Sequence, residues 1–385
     1  GRWATRVSRH PLAFAALGLV LLAALAWPFA QMRLGMPDDG NQTRGTTQRV
    51  AYDRIAEGFG AGTNATIQVV SKLPADTAKA DATLARVRSD LAATANVAAV
   101  GAVQKNPAGD TAIISVVPKS APQDEATADL VTKLRKTTVP AAVKGSGVQA
   151  YVGGLTATLQ DTSERVASRL PVFIAVVVGL SLLLLIVIFR SIWVPVISGA
   201  FNLLSVSAAY GVVTAVFQLG FGRSLLGLDG EVPIVSFIPL FMFALLFGLS
   251  MDYNVFLQSR IHEEYRHGRS ARDSVINGMA STGRVISAAG AIMILVFTGF
   301  IFDDDVVVKM IGLGLATAIL VDVLIVRLLL APAVMFLLGD RAWWLPGWLD
   351  RRLPDVHLEG SVGEDDEDVA APAEPDPEPE PAGAR

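Results

Sequence analysis

Two carboxyl groups and one guanidinium stand in stretches of sequence that are otherwise almost wholly apolar. Asp252 lies in FGLSMDYNVFLQSR, Asp322 in ATAILVDVLIVRLLLAP, and Arg327 follows Asp322 by five residues. An ionisable side chain surrounded by apolar sequence is costly to keep charged, and by default it is a functional group. A carboxyl in such surroundings can take up a proton and release it again. Tyr253, beside Asp252, adds a phenol that can donate or accept a hydrogen bond. The structural alternative is a carboxyl held permanently neutral, hydrogen-bonded across helices as packing glue. Residue types favour the proton role for Asp252. Asp322 is divided evenly between a second relay member and a partner that holds a neighbouring helix. At the α-helical pitch, five residues put Asp322 and Arg327 on different faces, so the sequence predicts no ion pair between them.

Other chemistries find little support. There is no cysteine, which removes thiol nucleophiles and disulfides, and only four histidines, none at metal-ligand spacing. No nucleophile elbow, phosphate-binding loop or dinucleotide fingerprint occurs. The sequence therefore argues for no cofactor and against an enzyme, and ATP has no entry point here. The formal net charge is -4, and no basic face with interleaved aromatics exists, which argues against nucleic acid as a partner.

The elements that must hold the two acids are membrane spans. The chain is 52% hydrophobic, above the usual balance of a soluble domain. Six stretches reach the roughly 20 apolar residues that a bilayer crossing needs: 11–30, 170–189, 193–217, 234–257, 285–302 and 306–338. A secretory leader is the rival for the first, since Arg2, Arg6 and Arg9 precede it, but its apolar run is too long for one. Pro239 marks the start of regular helix in the fourth span, and Asp252 then lies about 20 Å along the axis, deep in hydrocarbon. Gly248, one turn earlier, leaves room for a neighbouring helix to approach.

Arginines set the orientation. Arg2, Arg6 and Arg9 precede span one, Arg190 separates spans two and three, Arg260, Arg266, Arg269, Arg272 and Arg284 lie between spans four and five, and Arg341, Arg351 and Arg352 follow span six. With alternating spans all four groups fall on one side, which the positive-inside rule makes cytoplasmic. Both termini are expected there. Residues 258–284 read as a cytoplasmic loop containing an amphipathic surface helix. Asp303, Asp304 and Asp305 cap the start of span six. Residues 339–385 read as a cytoplasmic tail, acidic and Pro-rich toward its end and largely disordered.

Between spans one and two, residues 32–169 change to soluble periodicities. Strands are expected at 66–71, 97–104, 111–117 and 148–152, and helices at 76–95 and 123–138, with Asn106-Pro107-Ala108-Gly109 as a turn. The order β-α-β-β-α-β is the split, ferredoxin-like arrangement. Residues 156–168 read as helix continuous with span two. The expected fold is an α-helical polytopic membrane protein of six spans with one extracytoplasmic α+β ferredoxin-like (βαββαβ) domain.

FGLSMDYNVFLQSRIHEEYRHG, GMASTGRVISAAGAIM and LVDVLIVRLLLAPAVM, with RLGMPDDGNQTRGTTQRVAYDRIAEGFGAGTNATIQVV near the amino end, resemble the carboxy-terminal half of an MmpL-type transporter of the resistance-nodulation-division (RND) superfamily. The resemblance covers all but the tail, and the Asp-Tyr pair in its Gly-Leu context is its most specific part. It implies two homologous halves, each a span, a porter domain and five further spans, with an Asp-Tyr pair in each fourth span. The pairs meet at the centre and relay protons inward, driving lipidic or amphiphilic cargo out of the bacterial cytoplasmic membrane. Asp252 and Tyr253 match that relay position by position. Only one half is present, and Gly1 is not a start residue, so the homologous first half is expected on the same longer chain or on a second subunit. The implied partners are the cargo, protons, that first half and membrane lipids. The long insertions used to dock an outer-membrane channel are missing. A lipid-sensing receptor and a protein-translocation aid share the architecture and are the alternatives.

Overall fold

A computed structural model of the chain describes residues 2–228 and 230–353. Six helices in it are long and apolar enough to cross a membrane. We label the helices α1 (Pro11–Ala26, prolonged by a tighter turn to Gln31), α2 (Thr47–Phe59), α3 (Thr77–Ala92), α4 (Glu125–Lys133), α5 (Leu155–Phe189), α6 (Trp193–Val213), α7 (Ile238–Arg266), α8 (Ala271–Phe300), α9 (Val306–Val321) and α10 (Ala331–Leu338). The spanning elements are α1, α5, α6, α7, α8 and the run from α9 to α10. Residues 354–385, most of the expected tail, lie outside the described residues.

The strands β1 (Ile67–Lys72), β2 (Val97–Val100), β3 (Thr111–Pro118) and β4 (Gln149–Gly153) form an antiparallel sheet in the order β2-β3-β1-β4, with Gln104–Lys105 as a short extra rung on β3. Alternation sets its faces: Ile67 and Val69 of β1, with Ala112, Ile114 and Val116 of β3, turn inward. They share one core with Leu84, Val87 and Leu91 of α3 and Leu130 and Val131 of α4. Asp76 caps α3 by accepting from the Lys79 N–H at 3.1 Å.

The sheet unit is joined to the bundle without slack. α5 runs unbroken for 35 residues from the end of β4 to Phe189, past Pro171. On the other side, Leu34–Gly35 pairs in parallel with Ile234–Val235, the segment that leads into α7. Gln218 locks this junction, donating to the Gln31 carbonyl at 2.6 Å and accepting from the Arg33 N–H at 2.8 Å.

Residues 258–284 differ from the expected surface helix. α7 continues to Arg266 and α8 begins at Ala271, so two long helices project beyond the apolar stretch and only residues 267–270 connect them. Gly268, at φ +82°, takes the left-handed turn that ends α7, and Ser270 caps α8 by accepting from the Asp273 N–H. Arg266 and Arg272 lie at the facing ends of the two helices and Arg269 in the connector, where long charged side chains are readily solvated.

Within the bundle one close approach depends on a glycine. A Cβ built at Gly211 of α6 falls 1.9 Å from the Leu25 carbonyl oxygen and 3.0 Å from Ala26 Cα. Both are backbone atoms, so a side chain there forces α1 away from α6. Gly211→Ala is expected to destabilise the protein by about 3 kcal/mol, the upper range for overpacking. The check is thermal unfolding of the detergent-purified protein, where an unchanged midpoint would contradict this helix contact.

Candidate functional site: a buried ion pair and an outward carboxylate

The second half of the last span supplies the site's scaffold. From Asp322 to Leu330 the helix widens to π-type turns before α10 resumes at Ala331. Pro332 gives a local reason. It has no N–H to return to the Leu328 carbonyl, and its ring crowds the preceding turn. The Leu328 carbonyl accepts instead from the Trp3 indole N–H at 2.7 Å. A residue ahead of the first span is thereby pinned to the last one.

The wide turns change which side chains meet. In a π-type turn, residues five apart stack on one face. Arg327 Nε donates to Asp322 Oδ2 at 2.7 Å, correcting the expectation that the two face apart. Both are buried, at 3% and 8% exposure. Ser250 of α7 closes the arrangement: its hydroxyl donates to Asp322 Oδ1 at 3.1 Å, while its carbonyl and hydroxyl oxygens accept from Arg327 Nη2. The Arg327 guanidinium carbon lies 5.4 Å from the centre of the Tyr253 ring, a cation–π distance. One cluster thus combines Asp322, Arg327, Ser250 and Tyr253, and a buried charge is tolerable because it is paired and hydrogen-bonded. Ser250 and Arg327 were not singled out together by the sequence. The legible signal was Pro332 shortly after an Asp-x₄-Arg spacing.

Asp252 does not join this cluster. It is the central residue of the 29-residue α7, yet its side chain is exposed. Among the described residues it has no hydrogen-bond or ion-pair partner. It shares its face with Phe241, Leu245, Gly248 and Phe256, all exposed, and no atom of another element lies within 4 Å of the Cβ position at Gly248. The close neighbour that Gly248 was expected to admit is thus absent from the described residues. Tyr253, next in sequence, turns the other way, and its hydroxyl approaches Met293 Sδ at 3.9 Å. Among the described residues no group of acidic or histidine side chains comes together that could hold a metal ion.

The family model for MMPL matches residues 39–356, which include the sheet unit, α7 and the whole acid cluster. The chain belongs to the MMPL family. Membrane protein YdfJ of Bacillus subtilis is 36% identical over 93% of this chain and 49% of its own length. The mycolic acid-containing lipids exporter MmpL11 of Mycolicibacterium smegmatis is 34% identical over 93% of this chain and 38% of its own. The heme uptake protein MmpL11 of Mycobacterium tuberculosis is 35% identical, over 93% of this chain and 37% of its own. This MMPL chain therefore spans about half or less of the length of these curated relatives.

Proposed function

We propose that this chain is one half of a proton-driven secondary transporter that exports lipidic or amphiphilic small molecules across the bacterial cytoplasmic membrane. The observation that carries the reading is the outward Asp252 at the middle of a spanning helix, without a partner among the described residues. A carboxylate at that depth is not stable against lipid. A second protein surface must cover it, and a homologous half presenting its own acid is the occupant that MMPL membership suggests. Protons would load on Asp252, with Tyr253 beside it, while Asp322, held by Arg327 and Ser250, is the second relay member. The relatives' names cover mycolic acid-containing lipids and heme, which supports an amphiphilic cargo class.

The distribution of arginine supports placing the start of the first span and the end of the last span in the cytoplasm. The sheet unit then lies outside the membrane. Its strand order β2-β3-β1-β4, with α3 and α4 packed into one core, supports a ferredoxin-like porter domain. The unbroken α5 makes that domain respond to movement among the spans.

The reading is tested in proteoliposomes carrying the protein with its homologous half and a fluorescent lipid cargo. Export is expected to follow an imposed proton gradient and to stop when a protonophore collapses it. Export that ignores the gradient would remove the proton-driven reading. A second expectation follows from α5. Inserting several glycines at Gly153-Gly154 breaks the stiff connection while leaving the sheet intact, so proton uptake should continue as export falls. Unchanged export would make the domain a passive conduit.

A further inference from the structure

Among the described residues, three buried polar atoms of the bundle lack partners, those of Gln258, Ser259 and Arg327, and two of them belong to residues that line the same cavity. Arg327 Nη1 is a donor with nothing to donate to, and Gln258 Oε1 is an acceptor with nothing to accept from. Both residues are 3% exposed. Leaving such atoms unsatisfied is costly, on the order of 1–3 kcal/mol each. The cavity lies between α5, α6, α7 and the end of the last span, and measures about 30 Å³. That exceeds the roughly 10–15 Å³ a water needs, and a polar cavity of that size fills. Ser198, Asn202 and Asn254 add hydrogen-bonding groups to its wall, and among the described residues its only ionisable lining groups are Asp322 and Arg327.

The cavity also has a direction. Asp322 and Ser250 stand at the level of the acid cluster. Gln258 lies eight residues beyond Ser250 along α7, about 12 Å further toward Arg266. Val194, near the start of α6, and Met335 of α10 border it as well. It therefore leads from the acid cluster toward the arginine-rich end of the bundle.

We propose that this cavity is a water-filled proton passage joining Asp322 to the arginine-rich side, with Gln258 as the residue that positions its water. Water at the acid cluster accepts from Arg327 Nη1, and water further along the cavity donates to Gln258 Oε1, so that both atoms are satisfied. When the protonated Asp322 carboxyl releases its proton to the water at the acid cluster, the O–H bond breaks and the proton moves on toward Gln258 through water. The carboxylate left behind is held by Arg327 and Ser250. The passage rests on the proton-driven reading above, and it adds the route and the residue that sets it.

Gln258→Leu keeps much of the side-chain volume and removes the water's acceptor, while Gln258→Glu keeps an acceptor. In proteoliposomes with a pH-sensitive dye inside, Gln258→Leu should slow proton uptake by about ten-fold or more, a loss in the range set by misplacing one transfer partner. Gln258→Glu should retain uptake with a displaced pH profile. Independently, radiolytic hydroxyl labelling should oxidise the buried Met335 in the wild type and do so several-fold less in Gln258→Leu. If Gln258→Leu proves unstable, Gln258→Asn, which withdraws the amide by one methylene, carries the same expectation of slowed uptake. Wild-type uptake in the folded variant, or an unlabelled Met335 in the wild type, overturns the passage. Asp252→Asn run in parallel separates the two levels: if it stops uptake while Gln258→Leu does not, only the passage fails, and if neither does, the proton-driven reading fails with it.

Discussion

Asp252→Asn is expected to abolish cargo export and proton uptake while the protein remains folded and inserted. Asparagine keeps the shape and the hydrogen-bonding capacity of the side chain but cannot exchange a proton. Because Asp252 is exposed and unpartnered among the described residues, its replacement disturbs no contact within this chain, and a loss of function cannot be assigned to a collapsed bundle. The loss should amount to about 100-fold or more, the range for removing a positioned proton-transfer group. Tyr253→Phe removes one hydroxyl and retains the ring against Arg327, so it should impair less. Near wild-type export by Asp252→Asn at normal expression would sink the relay. Equal damage from the phenylalanine variant would make the Tyr253 hydroxyl a proton carrier itself.

The second large effect concerns stability. Arg327→Leu strips Asp322 of its countercharge in a site where both groups are nearly out of reach of solvent. Breaking a buried pair from one side leaves a charge without compensation and costs about 3–5 kcal/mol. Asp322→Asn should be milder, since the amide can still receive a hydrogen bond from Arg327. The double replacement Asp322→Asn with Arg327→Leu should recover part of the loss, because no charge is then stranded. Thermal unfolding of the purified protein reads all three. Additive losses in the double variant would mean that the 2.7 Å contact does not couple the two residues.

Much of the architecture is legible in the sequence. The spans announce themselves by length and apolarity, and the strand and helix order between the first two follows from alternation, caps and turns such as Asp76 and Asn106-Pro107-Ala108-Gly109. Three things were not legible, each for a physical reason. The region around Arg266 and Arg269 looked like a surface loop because its charges hide the helical continuity that hydrogen bonding imposes; Gly268 was the one local mark of the turn. The direction of Asp252 was hidden because hydropathy records that a helix is apolar, and α7 is apolar on nearly every face. The meeting of Asp322 and Arg327 was read out by assuming one pitch for the whole span.

That pitch has a consequence for how long the pair can hold. At α-helical geometry five residues sweep about 500°, leaving the two side chains roughly 140° out of phase. Their alignment is therefore a property of the winding between Asp322 and Leu330, and any event that rewinds that stretch to the α-helical pitch puts acid and guanidinium out of register. The Leu328 carbonyl that accepts from the Trp3 indole lies inside the same stretch and would be displaced with it. Winding, ion pair and tryptophan environment are thus set by a single torsional coordinate of the last span.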